Sequence, residues 1–250
     1  MSGILVPLSK LPSQGVAYPK DLEVYVRPLS IGDQLDMDRY GISDSEYFKT
    51  LLKGVEVRTT EPFYRNNLLH FDVQFLDLVR RLYSFDVDEE IRVEDCVCSK
   101  CKEKFSYSFH IQDISFTDFN PDIFNKEFVL SQGMEDELTI TVSPLTTDEY
   151  TAMSREFRNI TNKNKMLSSM YSEYICACTR DVEGRTFKDL KDRNSFLKEY
   201  IETRYTYKDK KILEKIVDET IIKVKPFKVL CASCGSETEV EVTPTSNFQQ

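Results

Sequence analysis

Alternating apolar and polar positions predict two strands that each end at a proline. The segments "LEVYVRP" (residues 22–28) and "ELTITVSP" (residues 137–144) alternate in this way, which is typical of half-buried strands. After the prolines, Ser30 in one case and Thr146 or Thr147 in the other stand just ahead of acidic residues. Their hydroxyl oxygens can accept hydrogen bonds from the free N–H groups of a first helical turn. Each strand is therefore predicted to lead into a helix.

Two further helices are predicted from apolar residues at helical spacing, which form stripes that face a core. Each of these helices precedes a Cys-x2-Cys pair, and each pair runs into an alternating strand, "FSYSFHI" (105–111) or "ETEVEVT" (237–243). The first stripe consists of Leu68, Phe71, Phe75, Leu78, Val79 and Leu82, and the second of Ile212, Leu213, Ile216, Val217 and Ile221.

The landmarks of the first half recur in the same order in the second half. "VRPLSIGDQ" from Val26 resembles "VSPLTTDEY" from Val142, and "SEYFKTLLKGVEVRT" from Ser45 resembles "SEYICACTRDVEGRT" from Ser172. With the Cys pairs, the separations are 116, 127 and 133 residues, an increase that small insertions in the second copy explain. The pattern predicts an α+β fold. Its halves are pseudo-duplicated, each with the order strand, helix, helix, knuckle, strand.

The same landmarks set the expected organisation of the chain. We expect an extended N-terminal arm (1–21), a first half (22–112), a connection (113–137), a second half (138–243) and a short tail (244–250).

The Cys-x2-Cys pairs are the strongest candidate for a binding site. A pair on a tight turn supplies two thiolates to one metal ion, and structural zinc takes four in a tetrahedron. Cys98, Cys101, Cys231 and Cys234 are therefore predicted to form one zinc-ribbon-like site of four cysteines that joins the halves. Plain buried thiols are the alternative. A redox dithiol fits less well, because such pairs open a helix and these open strands.

Three other cysteines are interpreted differently. Cys96 lies two residues before Cys98 and is an alternative ligand, although we interpret it as a neighbour of the site. Cys176 and Cys178 lie in the apolar stretch "YICACT", where cysteine usually behaves as a small apolar residue.

Composition narrows the classes of partner and compartment. The chain has 250 residues, 40% of them hydrophobic, and a formal net charge of -9, so no overall attraction to nucleic acid or anionic lipid is expected. It contains no run of 18 apolar residues for a membrane span, and its first ten residues lack a basic leader and a cleavage pattern. A non-secreted, thiol-reducing setting follows, in which close Cys pairs favour metal ligation over disulfides.

The sequence contains no recognisable catalytic arrangement. It has only eight Gly and no phosphate-binding glycine motif, no nucleophile elbow and no zinc-protease motif. Its two histidines, His70 and His110, have no partner in sequence and are interpreted as structural. We therefore expect neither an enzyme nor a small-molecule substrate.

The segment "LPSQGVAYP" (11–19) contains two prolines and a glycine, which prevent a helix. Its apolar residues Leu11, Val16 and Tyr18 can act as anchors, so an extended arm crossing a surface is predicted. The alternative is a lead-in packed on its own domain.

Several segments together resemble one family. They are "LPSQGVAYP", "VYVRPLS", the helix "FDVQFLDLVRRLYSF", the knuckle "CVCSKCKEKFSYSFHI" and the restart "ITVSPLTTDEY". This combination is similar to the small baseplate hub and hub-assembly proteins of T4-type contractile-tailed bacteriophages. The resemblance spans roughly residues 11–150 and fades after them, although the second knuckle, further along the chain, also fits it. The chain departs from it in lacking the Cys-Pro-x-Cys form of the knuckle, having Ser99-Lys100 and Ala232-Ser233 instead.

The resemblance implies a non-enzymatic protein that binds other phage tail or baseplate proteins, with zinc as a structural cofactor. It implies a location in the virion baseplate or, during assembly, in the host cytoplasm. The family contains both virion components and assembly helpers, and both stay open here.

Two other functions are considered. The alternative is a zinc-ribbon nucleic-acid-binding accessory protein of a phage, and a metal-dependent enzyme is a third class. The nucleic-acid reading requires a basic face beside the metal. Its candidate residues are Lys100, Lys102, Lys104, Lys223, Lys225 and Lys228.

Overall fold

The computed structural model describes residues 3–37, 44–84, 90–158, 172–204 and 206–241, and it shows the expected mixture of helices and small antiparallel sheets. The strands are β1 (Ile4–Val6), β2 (Glu23–Val26), β3 (Val55–Arg58), β4 (Glu90–Val97), β5 (Lys104–His110), β6 (Lys126–Leu130), β7 (Leu138–Val142), β8 (Thr179–Val182), β9 (Phe227–Leu230) and β10 (Glu237–Val240). The α-helices are α1 (Ile31–Met37), α2 (Asp44–Lys53), α3 (His70–Leu82), α4 (Thr147–Arg158), α5 (172–178), α6 (Leu190–Thr203) and α7 (Tyr207–Thr220).

The first lobe, as we name it, consists of the antiparallel sheet β1–β2–β3 and helices α1 to α3. The alternation in β2 places Val24 and Val26 in the core, where Leu51 of α2 and Phe71 of α3 are also fully buried. The strands and the helical stripe predicted from periodicity are thus present, and they pack against each other as one apolar cluster.

The second lobe consists of the antiparallel sheet β6–β7–β8 and helices α4 to α7, and its strand order matches that of the first lobe. Ile140 and Val142 of β7 lie at the positions of Val24 and Val26 and are likewise buried. Among the described α-helices and strands, the second lobe has one additional element, α6, which lies between the third strand of its sheet and the helix that leads to the knuckle.

The two Cys-x2-Cys pairs lie in a third unit, the Cys module, which consists of the hairpins β4–β5 and β9–β10. Phe109 and Phe227 pack together at 4.7 Å between ring centroids, beside the buried Val240. The segments that connect the module to the lobes also pair, through an antiparallel bridge between Phe116 and Val224. The strands before each pair, β4 and β9, were not predicted from the sequence.

The N-terminal segment differs from the predicted extended arm. Residues 8–10 form a 3-10 helix, and the chain turns back at Gln14 and Gly15, whose φ angles are 55° and 74°. Leu11, Ser13 and Tyr18 are buried. Because these side chains point into the first lobe, the segment packs on its own domain, as the alternative reading held.

The region predicted as a connection also contains regular structure. Residues 126–130 form β6, which pairs with β7 along its whole length. Its apolar residues Phe128 and Leu130 enter the core of the second lobe, so the second sheet starts earlier in the chain than the periodicity indicated.

The lobes contact each other directly as well as through the Cys module. Leu69 forms an antiparallel bridge with Thr146, and the Thr147 N–H donates to Leu68 O at 2.8 Å. Among the described residues, no helix has the length and apolar character that crossing a bilayer requires.

Candidate metal centre

The first knuckle, residues 98–103, is the turn of the β4–β5 hairpin. Two backbone hydrogen bonds shape it: the Cys98 N–H donates to Glu103 O at 2.9 Å, and the Lys102 N–H donates to Cys98 O at 3.1 Å. Lys102 adopts a φ of 63°, which a side chain with a Cβ rarely adopts. The turn aims the side chains of Cys98 and Cys101 at the same point.

The second knuckle, residues 231–236, has the same geometry. The Cys231 N–H donates to Ser236 O at 2.9 Å, and the Gly235 N–H donates to Cys231 O at 2.8 Å. Gly235 has a φ of 66°, as expected from a glycine directly after Cys234. Both pairs are therefore held by the same backbone arrangement on two separate hairpins.

The four sulfur atoms meet between the hairpins. All of them lie within 4.8 Å of one another, with 3.7 Å between the Sγ atoms of Cys98 and Cys234 and 3.7 Å between those of Cys101 and Cys231. Sulfurs about 2.3 Å from a central zinc at tetrahedral angles lie about 3.8 Å apart. The donor set therefore fits a tetrahedral zinc in number, chemistry and size.

The second hairpin also contacts the first knuckle through a hydroxyl. Thr238 Oγ1 lies 3.5 Å from Cys98 Sγ, and its hydrogen bond lowers the pKa of that thiol to about 5. A backbone hydrogen bond at Glu103 acts to lower the pKa of Cys101, but burial and the other sulfurs outweigh it and raise this pKa to about 12. Four thiols this close together interact electrostatically, and a dication between them would favour their deprotonated form.

The remaining cysteines lie elsewhere or point away. Cys96 is half-buried in the apolar cluster of the Cys module, and its Sγ lies 3.7 Å from Val93 O. It is not among the four clustered sulfurs. Cys176 and Cys178 are fully buried in the core of the second lobe, where burial raises the pKa of Cys176 to about 12.

His70 has a structural environment. Its ring stacks on Tyr150 with 4.6 Å between centroids, and its Nδ1 lies 3.3 Å from Leu145 O. Burial lowers its pKa to about 4, so the imidazole is neutral at pH 7.

The lysines beside the knuckles do not form a free basic face. The ammonium groups of four of the six lie between 2.9 and 3.4 Å from a carboxylate oxygen. The pairs are Lys104 with Asp95, Lys223 with Asp218, Lys225 with Asp118, and Lys228 with Glu237. Each of these four ammonium groups therefore has a carboxylate beside it, which lowers the net positive charge next to the knuckles.

Sequence reasoning missed two buried carboxylates, one in each lobe. In the first lobe, Asp72 accepts from the Ser13 N–H at 2.9 Å, from the Ser13 hydroxyl and from Tyr18 OH at 2.5 Å. In the second lobe, Asp209 accepts from the Ser131 N–H at 2.7 Å. The available signal was the tripeptide Ser-Gln-Gly, which occurs at residues 13–15 and again at 131–133.

A second matching arrangement caps the helix after each Val-x-Pro-Leu segment. Ser30 and Asp33 exchange hydrogen bonds at the start of α1, and Thr146 and Glu149 do so at the start of α4. Each acid also pairs with arginine: Asp33 with Arg27 and Arg80, and Glu149 with Arg180. These residues hold the strand-to-helix corners that position the rest of each lobe.

Comparison with known proteins identifies one family. The sequence model of the family described as "T4 bacteriophage base plate protein" matches residues 7–249, nearly the whole chain. No curated protein and no solved structure matches the chain significantly.

Proposed function

The chain belongs to the family of T4 bacteriophage base plate proteins, and from this membership we propose that it is a baseplate hub component or a hub-assembly protein. It acts through contacts with other tail proteins, in the virion baseplate or in the host cytoplasm during assembly. The family match over residues 7–249 carries the assignment to the baseplate. The resemblance of the N-terminal segment, of helix α3 and of the knuckles to hub proteins supports the finer role.

The Cys module contains a structural zinc in this proposal. Cys98, Cys101, Cys231 and Cys234 supply four sulfurs at distances that suit Zn²⁺, and a site with four cysteine ligands leaves no open coordination position to activate water. Zinc would hold together two hairpins that come from distant parts of the chain. Its role is therefore to stabilise the fold, and the protein acts without catalysis.

The two lobes are copies of one unit in this proposal, and each ends in one hairpin of a zinc-ribbon-like site. Three observations support it: both sheets have the same strand order, both helix corners have the same capping exchange with an arginine, and both Ser-Gln-Gly turns bind a buried aspartate. The second unit then starts with β6, and α6 is an insertion.

The functional proposal is tested in phage particles. Deleting the gene is expected to give tails that lack a complete baseplate, which electron microscopy of lysates detects. Mass spectrometry of purified particles then separates the two roles: a fixed stoichiometry identifies a component, and presence only in the infected-cell lysate identifies an assembly helper. Normal, infective tails without the gene would contradict the proposal.

A further inference from the structure

Helix α4 joins the second lobe to the first through one face. Thr147 donates both its N–H and its hydroxyl to Leu68 O, each at 2.8 Å. The ring of Tyr150 stacks on His70 and lies 5.5 Å from the ring of Phe48. Thr147 is buried at this contact, and Thr151, one turn further along the same side of the helix, is buried as well. The interface is heterologous, because it joins different surfaces of the two lobes.

The counterpart of α4 in the first lobe is α1. Both helices follow Val-x-Pro-Leu and begin with the same capping exchange, in which Asp33 of α1 matches Glu149 of α4. Four residues further on, Met37 and Met153 are both buried in their own lobes. The inner faces of the two helices therefore correspond residue by residue at a constant separation.

The outer face of α1 carries exposed apolar side chains, whereas the same face of α4 is an interface between the described parts of the two lobes. Ile31 and Leu35 stand where α4 has Thr147 and Thr151, and their side chains are 80% and 69% exposed. They lie four residues apart and so stand next to each other on the helix. A single exposed aliphatic residue is ordinary, but two on a face that binds a protein surface in the other lobe indicate a binding surface.

In a second copy of this chain, the two surfaces that correspond to the one receiving α4 are covered among the residues that the structure describes. In the first lobe, the receiving surface is α2 with the start of α3. In the second lobe, α6 packs on α5: Lys198 pairs with Glu173, and Arg193 donates to Cys176 O at 3.2 Å. Leu197 of α6 is fully buried there. The helix inserted in the second lobe thus covers the counterpart surface, as capping repeats do at the end of a repeat array.

We propose that Ile31 and Leu35 of α1 form the docking surface for a helical, apolar surface of a different baseplate protein. The change from threonine to aliphatic residues fixes the chemistry of that partner. Thr147 reaches a backbone carbonyl, whereas Ile31 and Leu35 can only be buried against apolar side chains. The inference rests on the proposed function, since it takes the partner from the baseplate.

The first test compares two double variants of the full-length protein in infected cells. Ile31→Glu with Leu35→Glu places charge on the outer face of α1, and Met134→Glu with Leu190→Glu is the matched control at two exposed apolar residues elsewhere. The α1 variant is expected to weaken partner binding about 100-fold and to give as few complete baseplates as the gene deletion. The control variant should assemble normally, and both purified proteins should unfold at the wild-type temperature.

The second test identifies what the α1 face contacts. A photo-crosslinking amino acid replaces Leu35, or Leu190 as control, in the full chain during infection, and crosslinked peptides are read by mass spectrometry. A crosslink from position 35, and not from position 190, to another tail protein of the phage supports the proposal. A crosslink to a second copy, or to a segment of the same chain, overturns it.

The failures of the two proposals are distinguishable. If the gene deletion abolishes baseplates and the Ile31→Glu, Leu35→Glu variant restores them fully, the docking surface is wrong and the functional proposal stands. If deletion has no effect on tails, the functional proposal itself fails.

Discussion

The first lobe and the second lobe hold the same turn with an aspartate, but the two carboxyl groups differ electrically. Burial raises the pKa of Asp72 to about 6, against the hydrogen bonds from Ser13 and Tyr18. Burial also acts to raise the pKa of Asp209, but the backbone N–H groups of Thr206 and Ser131 outweigh it, and the pKa falls below its usual value. The first lobe therefore keeps a poorly compensated buried carboxyl where the second lobe keeps one whose charge is well compensated by hydrogen bonds.

The helix corners show the same contrast in their arginines. Arg80 is fully buried in the first lobe, where it donates to Arg27 O and Leu51 O, both at 2.9 Å, and to Asp33 at 3.0 Å. Arg180 in the second lobe pairs with Glu149, but 29% of its side chain is exposed. A shared backbone plan can thus be held by polar groups of very different burial. The first lobe depends more on its polar network.

The largest effect is expected at the Cys module, to which the chain contributes one hairpin after each lobe. Cys98→Ser and Cys231→Ser each remove one of the four ligands and should abolish stoichiometric zinc binding. The loss should also destabilise the fold, because structural zinc sites contribute on the order of 10 kcal/mol to folding. Elemental analysis measures the zinc, and limited proteolysis should show new cleavage in the two hairpins.

Cys96→Ser is the control, because Cys96 lies beside the cluster without belonging to it. It should keep one zinc per chain. Loss of zinc from Cys96→Ser, or its full retention in Cys98→Ser, would show that the ligand set is wrong.

A smaller effect should separate the two lobes at their arginines. Arg80→Met removes a buried guanidinium from two carbonyls and from Asp33, which keeps its pair with Arg27. It should cost about 3 kcal/mol, the lower end for a broken buried ion pair. Arg180→Met removes a pair whose side chains are 29% and 35% exposed and should cost about 1 kcal/mol. Urea unfolding of the two variants measures both values. Equal losses would mean that the lobes do not differ in their polar networks.

Opposite pH responses should distinguish the two aspartates. Because the folded-state pKa of Asp72 is raised, this group contributes stability that is present below about pH 4 and is lost as the pH rises through about 6, with a range of about 3 kcal/mol. Asp209, with its lowered pKa, contributes stability that is present above its usual pKa and is lost as the pH falls through the lower folded value.

Asparagine variants measure these contributions without changing the size of either side chain. Asp72→Asn should remove a component of stability that grows on acidification from pH 7 to pH 5. Asp209→Asn should remove one that is constant from pH 7 to pH 5 and declines only below the usual aspartate pKa of about 4. Urea unfolding at pH 7, pH 5 and pH 3, with wild type as reference, gives the two differences. The same sign of change in both variants would contradict the contrast.

The sequence was informative where a local pattern carries the structure. The strand-to-helix corner after Pro28 followed from alternation and a capping residue, and each Cys-x2-Cys turn followed from its own spacing. The meeting of the two turns followed from the four ligands that a structural zinc requires. Arg80 gave no such signal. An arginine on a helix is normally exposed, and only the fold shows which carbonyls lie within its reach.

The repeated landmarks were also only partly aligned by sequence. Sequence similarity matched Val55 with Val182. In the structure, the Arg27 N–H donates to Gly54 O, and the equivalent Ser143 N–H donates to Cys178 O, so Gly54 corresponds to Cys178. The alignment from sequence is therefore shifted by three residues. A bulge between β7 and β8 and an α5 that continues to residue 178 account for the difference. Hydrogen-bond register, which sequence similarity does not report, decides which residues of two lobes correspond.

The smallest expected effect compares the two knuckles at the residue after the second Cys. Lys102 and Gly235 have φ angles of 63° and 66°, a conformation that costs a residue with a Cβ about 1 kcal/mol. Lys102→Gly should therefore stabilise the first knuckle by somewhat less than this, because glycine also loses more entropy on folding.

Gly235→Ala should destabilise the second knuckle by about 1 kcal/mol. Apart from its chain neighbours, no described residue has a heavy atom within 4 Å of the position that the added Cβ would occupy, so the substitution acts through the backbone conformation. Competition with a chelator measures both variants as changes in zinc affinity, with Lys100→Gly as the control for loss of a neighbouring lysine. The two variants should change the zinc affinity in opposite directions, because this turn contains a glycine, which adopts positive φ freely, in one hairpin and a strained lysine in the other.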